Sequence, residues 1–123
     1  MRGQKLFIRP VEPADASGID NFLAAEEDPH SAPALGLIGK LVGDIVALVA
    51  LERDADALRI THVFVARELR RKRIGRYMLA EAAQLARGMN LPRLIVDAPG
   101  DAAGFLRQVG FVEEEGRMVR WVQ

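Results

Sequence analysis

Apolar and polar positions divide the chain into short alternating runs and two helical stripes. Leu6-Phe7-Ile8-Arg9 is a short strand candidate, punctuated by Pro10 and Pro13. Ile19, Phe22 and Leu23 share one face of a helix over about Ala16 to Ala25, with Asp15 or Ser17 as its cap. Leu35 to Leu41, the turn Val42-Gly43-Asp44 and the nearly all-apolar Ile45 to Leu51 read as a hairpin with a buried central strand. Arg53-Asp54-Ala55-Asp56 turns the chain into a third strand, Leu58 to Val65. Strict alternation there puts Leu58, Ile60, His62 and Phe64 on one side and Arg59, Thr61, Val63 and Val65 on the other.

The longest helix is predicted over Ile74 to Met89, with Ile74, Met78, Ala82, Leu85 and Met89 on one stripe. Asn90 and Pro92 end it. Leu94-Ile95-Val96 is a short buried strand, parallel to the strand before the helix because a helix joins them. Asp101 is placed to cap a short helix from Ala102 to Val109, closed by Gly110. Phe111 to Glu113 and Arg117 to Val122 form a last hairpin. The order is β-α-βββ-α-β-α-ββ, an α+β class with a mixed, mostly antiparallel central sheet and flanking helices.

Charge changes this picture at one place. Lys plus Arg and Asp plus Glu number 17 each, so the chain is neutral overall, yet six of the cations lie between Arg67 and Arg76. A helix N-terminus carries about half a positive charge, so cations clustered there cost stability unless an anion joins them. Free amides at a helix start suit a phosphate, and guanidinium forks bind one bidentately. The run lies between an apolar strand and an amphipathic helix, so it reads as a structured anion loop. A solvated face or a nucleic-acid patch is the bland alternative. The zero net charge and the lack of interleaved aromatics count against nucleic acid.

Other classes fall away on composition. The chain has 123 residues, the size of one domain, and is half hydrophobic. Without cysteine there is no thiol nucleophile or Cys-zinc site, and with only His30 and His62 no His-based metal site is expected. No apolar run reaches the ~18 residues of a membrane span. The start Met1 to Lys5 lacks the apolar core of a secretion signal, so a cytoplasmic location is the default expectation. From Pro10 to Gly39 there is no Lys or Arg, while Glu12, Asp15, Asp20, Glu26, Glu27 and Asp28 are acidic: a solvated face, or a lip that draws in a cationic amine.

Several stretches together resemble the GNAT superfamily of acyl-CoA-dependent N-acetyltransferases. Ile8-Arg9-Pro10 with Asp15-Ala16 is similar to that family's opening strand and helix start. Val65 followed by Arg70-Arg71-Lys72-Arg73-Ile74-Gly75 resembles its pyrophosphate loop, and Ala102, Phe105 and Gly110-Phe111 resemble its late helix and the following strand. The resemblance implies one acyl-CoA-binding domain over residues 1–123, in which two parallel strands, about 58–65 and 93–97, splay apart. It implies acetyl-CoA as co-substrate. Val63, Phe64 and Val65 would hold the thioester arm, and Arg70, Arg71, Lys72, Arg73, Ile74, Gly75 and Arg76 the pyrophosphate. It implies acetyl transfer to a primary amine, small or on a peptide, and no nucleic acid or membrane partner. A homodimer is left open.

Three positions depart from the family pattern. The loop's first glycine is Arg73, the late-helix tyrosine that serves as acid is Leu106, and a frequent asparagine is Pro99. The family's usual base positions match Arg59 and Thr61, neither of which accepts a proton at neutral pH. His62 is next door and titrates in the right range, but alternation turns it to the opposite side unless a bulge re-aims it. Glu68 and residues 26–28 are weaker candidates, acting through water. A fold that binds CoA or a partner without catalysis is the alternative reading, motivated by Leu106 and the missing base.

Overall fold

The computed structural model describes residues 5–122; most of the Met1 to Lys5 start lies outside them. Seven strands form one sheet: β1 (Leu6–Pro10), β2 (Gly36–Leu41), β3 (Asp44–Asp54), β4 (Ala57–Val65), β5 (Arg93–Val96), β6 (Val112–Glu114) and β7 (Arg117–Trp121). Three helices, α1 (Ala16–Ala25), α2 (Ile74–Gly88) and α3 (Ala103–Gln108), flank it. The spatial order is β1-β2-β3-β4-β5-β7-β6. Every neighbouring pair is antiparallel except β4 and β5. The predicted element order and mixed α+β class therefore hold. What the sequence left open is that β7 inserts between β5 and β6.

The core has two sides. Met78, Leu79, Ala82, Ala83 and Ala86 of α2 bury one face against Leu58 and Ile60 of β4 and Val49 of β3. Ile19 and Leu23 of α1 cover Ile38 and Leu48 on the other. Gly36 allows the tight β2–β3 approach. A Cβ there would stand 2.3 Å from the Val49 carbonyl oxygen, which the ladder cannot move. Gly36→Ala is therefore expected to lose about 1–3 kcal/mol in a denaturant titration.

Two predicted helix caps are corrected. Asp15 makes no side-chain cap bond to α1. Its carboxylate instead receives both Arg9 guanidinium nitrogens at 2.7 Å and the Glu12 amide at 2.7 Å, tying β1 to the first turn. The Arg9 bonds and then the Glu12 amide hold its pKa at about 2, below the usual 3.8. A depressed carboxylate contributes stability at neutral pH and loses it as pH falls from 3.8 toward 2. Asp15→Asn should flatten acid unfolding in that window. Asp101 likewise makes no side-chain cap bond.

The α1 exit matters for the site. Glu27 takes the left-handed conformation at φ 60°. The Asp28 amide then donates to the Leu23 carbonyl at 2.9 Å, and the Glu27 amide to Ala24 at 3.0 Å. This closure is the one normally supplied by glycine. It aims Asp28 back across the sheet.

Candidate functional site

β4 and β5 pair only through Ala57↔Arg93, Leu58↔Leu94 and Arg59↔Ile95. Past that point β5 ends and β4 continues to Val65, so the two strands fork. Among the described residues, the β5-facing edge of residues 60–65 is left without a strand partner. Such an edge offers backbone donors and acceptors to whatever enters. At the crotch, Arg59 meets Asp54 and, through Nε at 2.7 Å, Asp97. That pairing makes Arg59 a tie between strands.

The fork opens into a slot beside α2. One part, about 370 Å³, lies among Ile60, Thr61, His62, Val63, Pro99 and Leu106. Another, about 440 Å³, is lined by Val63, Phe64, Val65, Arg70, Arg71, Arg73, Ile74, Gly75 and Arg76. Val63 and Phe105 border both, so the two run together along β4. Of the ten residues the sequence singled out for cofactor binding, nine line this space; Lys72 is exposed and stands outside the lining.

The loop before α2 explains its own departure from the motif. Arg71 and Arg73 both have φ 66°, in the left-handed region. The backbone at position 73 needs the conformation glycine supplies, and arginine adopts it at a cost of about 1–3 kcal/mol. Arg73→Gly is therefore expected to raise the melting temperature. Among the described residues, the amides of Arg71 to Arg76 find no backbone acceptor. Arg71, Lys72, Arg73 and Arg76 likewise have no carboxylate partner there. Arg70 differs: its Nε donates to the Val65 carbonyl at 3.1 Å, and its guanidinium stands 5.3 Å over the Phe64 ring. Arg67 is tied to the α1 exit, its amide donating to Glu26 Oε1 at 2.9 Å.

Strict alternation on β4 fails at one residue, and His62 turns with it. The β3–β4 register passes from Leu51↔Ile60 to Ala50↔His62, leaving Thr61 as a bulge. Leu58 and Ile60 face α2 before the bulge; Val63 and Val65 face it afterwards. Phe64 packs on the α1 side, its ring 5.7 Å from Phe22. His62 shares that side, 5.9 Å from Phe64, and so lies on the same side as Arg59. The expectation that it faces away from the base position is thus overturned.

His62 Nε2 lies 3.0 Å from Asp28 Oδ2. Asp28 Oδ1 accepts from the His30 amide and faces His30 Nδ1, each at 2.8 Å. A carboxylate only accepts, so neutral His62 donates its Nε2 proton and keeps a free lone pair on Nδ1. Burial pushes the His62 pKa below its usual 6.5; His30 adds to this and Asp28 opposes it. At neutral pH the ring is a free base. Burial would raise Asp28, but the bonds from His30, with the neighbouring imidazoles, outweigh it and keep its pKa low.

The same three residues bring their ligand atoms within 4.8 Å of one another, which invites a divalent cation. A metal sits in the plane of each imidazole that binds it, at about 2 Å. Here the rings are stacked at 3.9 Å with 22° between planes. No point lies in both planes at that distance, so the arrangement suits N–H donation to a shared carboxylate.

The acidic segment is consumed by such ties rather than forming a lip. Asp20 accepts the Ala32 amide at 2.8 Å, Glu26 holds Arg67, and Asp28 holds the histidines. Sequence reasoning missed the Asp28–His62 pair, whose partners stand 34 positions apart.

A family model described as an acetyltransferase (GNAT) domain matches residues 18–113. The chain belongs to the GNAT acetyltransferase family. No curated protein sequence matches this GNAT chain significantly. Solved structures match its fold. Ard1 from Thermoplasma volcanium is 17% identical with a TM-score of 0.75, covering 96% of this chain and 98% of its own. A GNAT family N-acetyltransferase from Escherichia coli in complex with CoA is 17% identical, TM-score 0.75, covering 100% and 84%. The ribosomal-protein-S18-alanine N-acetyltransferase from Escherichia coli is 15% identical, TM-score 0.73, covering 97% and 95%. No helix of this GNAT protein, among the described residues, is long and apolar enough to cross a membrane.

Proposed function

We propose that the chain is a single acyl-CoA-binding domain that transfers an acetyl group from acetyl-CoA to a primary amine. The observation that carries this reading is the strand fork running directly into unpaired amides and unpaired cations at the start of α2. A diphosphate fits there: the amides of residues 71–76 would donate to its oxygens, with Arg71, Arg73 and Arg76 supplying charge. The open edge of Val63 to Val65 would take the amides of the pantetheine arm. A GNAT family acetyltransferase from Brucella melitensis and a streptothricin acetyltransferase from Bacillus anthracis, both similar in fold, are in complex with acetyl-CoA, and the Escherichia coli one above with CoA, which supports this placement.

In the reaction the amine nitrogen attacks the thioester carbon, the C–S bond breaks, and the amide and the CoA thiol leave. His62 Nδ1 takes the proton that the amine loses, while Asp28 fixes the tautomer and steadies the resulting imidazolium, as in other Asp–His pairs. Leu106 supplies no acid. The CoA thiolate leaves and takes a proton from water, and the His62 imidazolium returns the amine's proton to the hydroxide that remains.

A second reading, CoA or partner binding without catalysis, is favoured by Leu106 alone, which lines the slot and is buried. Release of free thiol over a panel of small and peptide amines separates the two. Turnover above background with one amine is the expected result. Silence across the panel, despite binding, leaves the non-catalytic reading.

A further inference from the structure

His30 lies outside every motif of the family resemblance, yet it completes a polar cluster with Asp28 and His62 beside the fork. Its ring covers the His62 ring at 3.9 Å, and both reach one carboxylate. The three side chains grade outward: Asp28 is 7% exposed, His62 18% and His30 54%. Two stacked imidazoles repel each other when both are charged, and the single negative charge of Asp28 neutralises one of them.

We propose that His30 is a positioning residue for His62: its ring stacks on His62 and its two N–H groups occupy the other oxygen of Asp28, so that the carboxylate pulls less on His62 and His62 meets the amine unprotonated. This rests on the acetyl-transfer reading above. The surroundings leave His30 and Asp28 in control. On the same side of β4, Arg59 is neutralised by Asp54 and Asp97, and Arg70 stands over Phe64. Glu26 is engaged by Arg67. From the α2, α3 and β5 side the slot presents to His62 only Leu79, Val96, Ala98, Pro99, Ala102 and the apolar Phe105–Leu106 pair, none of them titratable.

Two consequences distinguish this from packing alone. Below neutral pH, His62 should stay a free base further down than an isolated imidazole. Removing the His30 imidazole should free Asp28 to act on His62 alone and bring His62 protonation to higher pH. The test is a ring-nitrogen NMR titration of the full chain, as wild type, His30→Gln and His30→Phe, beside the pH dependence of kcat/KM. His30→Phe keeps a stacked ring and the amide bond to Asp28, so it separates the imidazole contact to Asp28 from cover. The expected result is that both variants move the His62 midpoint, and the acid limb of kcat/KM, to higher pH. An unchanged His62 midpoint in His30→Phe, with the fold intact by near-ultraviolet dichroism, overturns the proposal. The titration needs neither acyl donor nor amine. A shifted midpoint with no turnover on any amine therefore supports the stack while overturning the acetyl-transfer reading on which its role in catalysis depends.

Discussion

His62→Gln is expected to lower kcat by about 10²–10⁴-fold while leaving acetyl-CoA affinity unchanged, the range of one general base. Glutamine keeps a donor for Asp28 and roughly the same volume, so the loop from 26 to 35 should stay docked. It has no lone pair basic enough to take a proton from an amine. The separation of kcat from binding follows from the geometry: His62 borders the forked end of the slot, whereas the free amides and cations lie at residues 71–76. Single-turnover kinetics with saturating acetyl-CoA make the comparison directly. A variant with wild-type kcat would place the base elsewhere.

The converse loss is expected at the loop. Replacing Arg71 and Arg73 together by glycine keeps the backbone at positive φ and removes two unpaired guanidiniums. A hydrogen bond to a charged group contributes about 1.5–3 kcal/mol, roughly 10–150-fold in affinity for each guanidinium–phosphate bond removed. The acetyl-CoA dissociation constant should therefore rise by one to several decades. The kcat at saturation should change little, because the amides and His62 remain. The wild-type affinity should also weaken with added salt more than that of the variant, since exposed charges are screened within about 10 Å at 0.1 M. Equal affinities in the two proteins would mean that the arginines serve another partner.

Much of this site could be read from residue order. Six cations crowded before an amphipathic helix are electrostatically unreasonable without an anion, and the folded loop does present unpaired amides and unpaired charge at that point. The α2 stripe, the short buried β5 and the crossover that makes it parallel to β4 were equally visible, because each depends on local periodicity. The side assigned to His62 was not. A bulge adds one residue to a strand, and the period-2 pattern that predicts facing carries no mark of it: Thr61 is an ordinary strand residue whose hydroxyl merely bonds the Ala50 carbonyl. Asp28 was hidden for a different reason. Its reach to His62 depends on Glu27 closing α1 in a conformation that glycine or asparagine would have announced and glutamate does not. Arg73 is the same effect in reverse, a missing glycine whose backbone conformation survives.

Isothermal titration of the wild-type chain with acetyl-CoA is the most direct measurement. Saturable heat at one site per chain, weakened by a decade or more in the Arg71→Gly, Arg73→Gly variant, is what the fork and its cationic loop predict. No heat at millimolar acetyl-CoA would contradict the acyl-CoA reading at its root.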